Sequence, residues 1–158
     1  MADDDLQQLQ AWVAGVLASL EPGQRTKLMR VIARDLRQAN VERIRAQTNP
    51  DGSAFAPRKR QPLRNKSGRL KRRGKAMFQK LRQPRYLNAR ATPDEASAGF
   101  DNPQVSRLGW VHQLGLRDKV RRRPGAAEVD YPARQLLGFA AEDPQRFMDL
   151  ILKHVAPD

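Results

Sequence analysis

Apolar positions near the start of the chain fall into a single stripe. Leu6, Leu9, Trp12, Val13, Val16, Leu17 and Leu20 recur at three- and four-residue spacing, which predicts a helix over residues 3–20. Asp3, Asp4 and Asp5 stand at its start, where the helix dipole favours negative charge. The segment Glu21-Pro22-Gly23-Gln24 ends it, and a second helix runs from near Pro22 to about Thr48. Leu28, Val31, Ile32, Leu36, Val41 and Ile44 form its apolar face, opposite Arg30, Arg34, Arg37, Glu42 and Arg45. A short connection between two helices predicts an antiparallel pair. Both stripes are first of all packing surfaces.

The pattern then lapses. Asn49-Pro50-Asp51-Gly52 is a turn signature, and Pro57 and Pro62 keep residues 49–62 out of a helix. Leu70, Met77, Phe78 and Leu81 give a weak helical stripe over about 75–83, while Gly68 and Gly74 oppose order across 67–75. Residues 85–91 and 96–100 predict two strands joined by the turn Thr92-Pro93-Asp94-Glu95. Beyond Asn102-Pro103, a short helix over 105–115 places Val105, Leu108, Val111 and His112 on one side, with Gly115 just past its end. Residues 116–128 read as a polar loop, and Tyr131, Leu136, Leu137 and Phe139 as an apolar patch. A final helix is capped by Asp143, has Pro144 at its first position, and turns Phe147, Leu150, Ile151 and Val155 inward. The fold class expected is α+β: an N-terminal antiparallel helix pair, a small antiparallel β-sheet, a short helix, a C-terminal helix and a long basic loop. One domain fits the 158 residues, divided as 3–48 helical hairpin, 49–83 basic loop or arm, and 84–158 α+β part.

Charge changes this picture. Net charge is +13 and its distribution is uneven. Residues 1–50 hold seven Lys/Arg against six Asp/Glu, whereas residues 51–90 hold fourteen against one. The excess is therefore one basic segment in a nearly neutral chain. Arg58, Lys59, Arg60, Arg69, Lys71, Arg72, Arg73 and Lys75 are its candidate contacts with DNA or a partner. A second small cluster is Arg121-Arg122-Arg123. Only Phe55, Phe78 and Tyr86 flank the segment, too few to make a stacking platform for single strands, so contact with nucleic acid would be to the backbone. Docking on an acidic protein and a solvated loop are the two other readings, behind nucleic acid.

Catalytic chemistry finds little support. There is no cysteine, so disulfides and thiolate metal sites are excluded. His112 and His154 lack neighbours at metal-ligand spacing, and no phosphate-binding loop, nucleophile elbow or zinc-protease motif occurs. Asp94, Glu95, Asp101, Asp118, Glu128 and Asp130 lie in or beside turns without the pairing a metal nuclease needs. No cofactor is expected. The acidic, polar start is unlike a signal peptide and no apolar run reaches membrane-spanning length, so a soluble protein without membrane contact is expected.

Three stretches occur in a telling order: VERIRAQTNPDGSAFAPRK at 41–59, WVHQLG at 110–115 and YPARQLLGFAAED at 131–143. Together they resemble the phage virion morphogenesis family, the tail completion proteins of contractile-tailed phages of the Mu and P2 kind. The resemblance runs from about residue 20 to 155. It implies a non-enzymatic virion protein acting late in assembly at the head-proximal end of the tail, made in the bacterial host cytoplasm. It further implies a homo-oligomeric ring, commonly hexameric, around the DNA channel, with neck, tail tube or head connector proteins as partners. Pro50, Asp51, Gly52, His112, Gln113, Gly115, Pro132, Ala133 and Arg134 are the motif residues it marks as structural or interfacial. Gln135 stands where the family usually has proline. Read from their chemistry, His112 and Gln113 are expected to bond backbone near the sheet, and Arg134 to pair with an acid within or between subunits. A basic protein that binds free nucleic acid without sequence preference is the alternative.

Overall fold

The computed structural model describes residues 2–58, 76–119 and 124–156, with backbone alone at residues 2–6 and Leu9. Four helices are present: α1 (Ala2–Ser19), α2 (Pro22–Ala46), α3 (Pro103–Leu114) and α4 (Asp143–Val155). Strands β1 (Leu87–Ala91) and β2 (Ala96–Phe100) make one two-stranded sheet, and β3 (Arg117–Lys119) and β4 (Glu128–Asp130) make another. The fold is α+β with two small antiparallel sheets.

The chain groups into two compact units, one of Met1–Arg37, Ala89–Ala98 and Glu142–Asp158, the other of Gln38–Asn88 and Gly99–Ala141. In the first, α1 half-buries Val13, Val16 and Leu17 and leaves Trp12 exposed, and Leu20 just past its end is half-buried. The first part of α2 buries Leu28, Met29, Ala33 and Leu36. Val31, expected on that stripe, is 40% exposed instead. Leu28, Ile32 and Leu36 run at four-residue spacing beside Met29 and Ala33, and Val31 projects to the opposite side of the cylinder. From α4, Ile151 is buried and Phe147 and Leu150 half-buried, but Val155 in the last turn is exposed.

The start of α4 also departs from expectation. Glu142 holds the cap position without a side-chain cap bond, and Asp143 is the first helical residue. Its fully buried carboxylate pairs with Arg146 Nη2 at 2.7 Å, while Arg146 Nε reaches Asp35 of α2 at 2.7 Å. Burial opposes the charge on Arg146, yet the hydrogen bonds and charges of Asp35 and Asp143 outweigh it and raise its pKa.

The second unit is built on Ile44, Phe55, Met77, Leu81, Leu87 and Leu136, with Val41, Phe78, Phe100, Val105 and Leu137 packed against them. Met77 and Leu81 enter this core from turns, not from the helix expected over 75–83. Phe78 has φ +61°, which breaks α geometry, and Leu81 N–H bonds Phe78 O at 2.9 Å to close a turn. The first strand begins at Leu87 rather than residue 85, and Leu87 is completely buried.

Asn102 starts α3, its Oδ1 accepting from Gln104 N at 3.0 Å and Val105 N at 3.2 Å, with Pro103 at the first position. The helix buries Gly109, Val111 and His112. A Cβ on Gly109 would stand 2.8 Å from the Phe100 ring, so the absence of a side chain admits that ring. Leu108, expected inward, is exposed, as is Trp110 at 62%. The loop expected over 116–128 contains β3 and opens into β4, paired Arg117 to Asp130, Asp118 to Val129 and Lys119 to Glu128. Only Asp118 and Val129 are half-buried there, so no apolar alternation announces the strands.

Candidate interaction site: the anchored flanks of the basic segment

Lys59, Arg60, Arg69, Lys71, Arg72, Arg73 and Lys75 lie outside the described residues, as do Arg121-Arg122-Arg123. Arg58 is described and exposed. Both flanks of the basic segment are described, and Arg134 of the family motif reaches one of them.

Gln47 anchors the far flank. It follows α2 with φ +62°, a left-handed residue that stops the helix. Its Nε2 donates to Ile44 O at 2.6 Å and to Met77 O at 2.9 Å, and its Oε1 accepts from Met77 N at 2.6 Å. One amide thus satisfies the last turn of α2 and both backbone groups of buried Met77. The neighbouring turn is tight. Asn49 O accepts from Gly52 N at 3.0 Å, Gly52 takes φ +82°, and Thr48 bridges Ala54. Asp51 Oδ1 accepts from Ser53 N at 2.9 Å and Ser53 Oγ at 2.6 Å, which lowers its pKa. Pro50-Asp51-Gly52 therefore shapes this turn, whereas the helix itself is ended by Gln47.

Arg134 anchors the near flank. It is buried, and its Nε donates to Ala56 O at 2.7 Å and its Nη2 to Pro57 O at 3.0 Å. Its Nη1 lies 3.3 Å from His112 Nδ1. Within the chain its partners are two carbonyls and an imidazole, and not an acid. Such a cation is costly to bury, and burial, with the positive charge of Arg58 beside it, lowers its pKa. His112 is correspondingly neutral: burial and then the Arg134 charge push its pKa down to about 4. Accepting at Nδ1 places the ring proton on Nε2. The ring meets Phe78 at 4.7 Å and Tyr131 at 4.9 Å, both edge to face.

Residues 131–141 lack regular structure, so their backbone groups need partners from elsewhere. Tyr131 N bonds Leu116 O at 3.1 Å and Arg134 N bonds His112 O at 2.6 Å. Gln135 N donates to Asn49 Oδ1 at 2.8 Å. Gln113 pairs with both groups of Leu137, accepting at 3.1 Å and donating at 2.7 Å. Asn40 Oδ1 accepts from Gly138 N at 3.1 Å and Arg43 Nη2 donates to Gly138 O at 2.6 Å. Of the two residues expected to bond backbone near the sheet, Gln113 bonds backbone in this segment, whereas the His112 ring meets the Arg134 side chain. Gly115 ends α3 at φ +67°, and a Cβ there would lie 2.8 Å from Ala133 N, so glycine serves both the turn and the close approach. Within PARQLLGF, Leu136 is in the core while Phe139 is 67% exposed.

Asn40 and Arg43 were given no role by sequence reasoning, Asn49 none beyond its turn, and Gln47 none beyond its place in a motif. Asn40 carried a signal: an amide four residues before Ile44, on the face that is otherwise apolar.

Four of the six turn acids make these contacts: Asp94 with Arg25 at 3.2 Å, Asp118 with Arg107 at 2.5 Å, Glu128 with Arg117 at 3.3 Å, and Asp101 with Asn88 at 2.8 Å. Among the described residues no three metal-ligating side chains come together, and no described helix is long and apolar enough to cross a membrane.

A sequence model of the phage virion morphogenesis family matches residues 4–156. The chain belongs to that family. This virion morphogenesis protein is 41% identical over 143 residues to tail completion protein S of Escherichia phage P2, which spans 90% of the chain and 92% of that relative. No solved structure matches it. A structural role in tail completion is what family and relative indicate.

Proposed function

We propose that this chain is a structural virion protein at the head-proximal end of a phage tail, completing or terminating the tail and enabling head–tail joining. The observation that carries the reading is the likeness to tail completion protein S over nearly the full length of both chains. It works as a homo-oligomeric ring around the DNA channel, against tail tube, neck or head connector proteins, in particles assembled in the bacterial host cytoplasm. It needs no cofactor and catalyses no reaction.

The basic segment serves as an assembly arm, with contact to channel DNA as a secondary role. Support comes from its fourteen cations against one acid over residues 51–90, and from the fixing of both its flanks by Arg134 and Gln47. Anchored flanks make the arm's starting point the same in every subunit of a ring, which a repeated contact requires.

Gold-labelled antibody against this chain should mark one end of isolated tails, the end that meets the head. Label along the tail or at its distal tip overturns the placement. Neutralising Arg69, Lys71, Arg72, Arg73 and Lys75 together should lower infectious particle yield without unfolding the chain, and unchanged yield removes the arm. Salt-sensitive duplex binding retained by residues 51–90 alone, with normal particles, would favour the nucleic-acid-binding alternative.

A further inference from the structure

We infer that the outer face of the first part of α2 is a second, separate docking surface, and that its partner is an acidic surface of another virion protein. The face consists of Lys27, Arg30, Val31 and Arg34. All four are exposed, and among the described side chains no carboxylate pairs with any of the three cations. The carboxylates nearest along the helix are committed elsewhere: Asp35 to Arg146 at 2.7 Å, and Glu42 to Gln38 at 2.9 Å.

Helical geometry makes the face regular. At about 1.5 Å per residue, Lys27, Arg30 and Arg34 stand about 4.5 and 6 Å apart along the axis. Lys27 and Arg30 are (i, i+3) neighbours and Arg30 and Arg34 are (i, i+4) neighbours, so each pair repels and weakens the helix. The helix thus retains charge that its own stability disfavours, and a bound partner supplies the missing counter-charge.

Two observations select protein over nucleic acid. Val31 is 40% exposed and sits one turn from both Lys27 and Arg34. An apolar side chain ringed by cations suits a protein interface, where arginine is enriched around an apolar centre, and adds nothing to a phosphate contact. Moreover, residues 1–50 are nearly neutral overall, seven cations against six acids, so this part of the chain exerts little long-range pull on a polyanion. What remains is short-range, geometrically defined pairing, which carboxylates at matching helical spacing provide.

The test is made in the parent phage with full-length chains, and it rests on the virion role for its readout. Three variants are compared: K27E/R30E/R34E, its neutral form K27Q/R30Q/R34Q, and R45E/K119E/K153E as an equal charge change at exposed cations elsewhere, outside the basic segment. Losing three exposed pairs corresponds to about tenfold in affinity. The reversal variant is therefore expected to cut infectious yield by about that factor or more, the control to leave it near wild type. Suppressors should replace Asp or Glu by Lys or Arg in another virion protein. The neutral form, freed of like-charge repulsion, should melt at or above the wild-type temperature. Wild-type yield from the reversal variant, equal loss from the control, suppressors confined to this chain, or a lowered melting temperature of the neutral form each overturn the inference. So does a loss of duplex DNA binding that tracks the loss of yield. Deletion of the gene separates the two readings. If deletion leaves particles normal, the virion role itself fails; if deletion is lethal and the reversal variant is not, only this surface fails.

Discussion

Replacing Arg134 by methionine removes the clamp on the near flank of the basic segment while keeping an apolar stem of similar reach. Two charge-assisted hydrogen bonds disappear, to Ala56 O at 2.7 Å and Pro57 O at 3.0 Å. Each such bond contributes about 1.5–3 kcal/mol. Against this stands the cost of holding a guanidinium out of water, several kcal/mol before compensation, which methionine escapes. Arg134 is only 3% exposed, so that cost is substantial. Ala56 is half-buried and Pro57 exposed, so water recovers part of the loss at the carbonyls. The balance is a destabilisation of about 3 kcal/mol, since removing one member of a buried polar set leaves the others unpaired. For a chain of this size that is about 6–12 °C in melting temperature. The assay is thermal and urea unfolding of both proteins at pH 7, with hydrogen exchange at the Phe55 amide, which bonds Gln47 O at 2.7 Å, as a local readout. Arg134→Lys should fall between the two, because a single ammonium cannot reproduce the fork. A methionine variant as stable as wild type, or more so, refutes the reasoning: the guanidinium would then be a tolerated buried charge and not a clamp.

Gln47→Ala should cost about 2 kcal/mol by orphaning both backbone groups of buried Met77, and Gln47→Glu should cost more, because a carboxylate would face the Ile44 and Met77 carbonyls; urea midpoints rank the two. Gly115→Ala should destabilise by more than about 2 kcal/mol, left-handed strain adding to the 2.8 Å approach of Ala133 N, whereas Gly52→Ala at φ +82° in open space should cost only about 1 kcal/mol; equal costs would deny the close approach. His112 gives stability a pH dependence. Its folded pKa, about 4, lies below the ordinary 6.5, so the unfolded chain binds the proton first; the contribution is whole above pH 6.5 and is lost as pH falls toward 4, by at most about 3 kcal/mol. His112→Phe should flatten the unfolding free energy across that window, and an unchanged slope would show that another group titrates there.

Long periodic segments made the helices legible. α1, α2 and α4 lie within two residues of their expected bounds because three or more turns of apolar spacing outweigh local noise. Individual positions were harder to read: Val31, Leu108 and Val155 fit a periodic template yet face outward, since spacing gives a face but not its width. β3 and β4 could not be seen because three-residue strands with one half-buried position each carry no alternation. The flanks of the basic segment were half legible. The residues were marked by family resemblance, yet their roles come from contacts across long sequence separations, such as Arg134 to Ala56 and Gln113 to Leu137. Arg134 was expected to pair with an acid within or between subunits. Carbonyl groups of a proline-bearing loop, which carry no sequence signal of their own, took that place.

The most direct test of the central claim is electron microscopy of lysates from the parent phage with this gene deleted. A head–tail joining role gives filled heads beside separate, unattached tails, and a terminating role gives overlong tails. Normal whole particles would contradict the account.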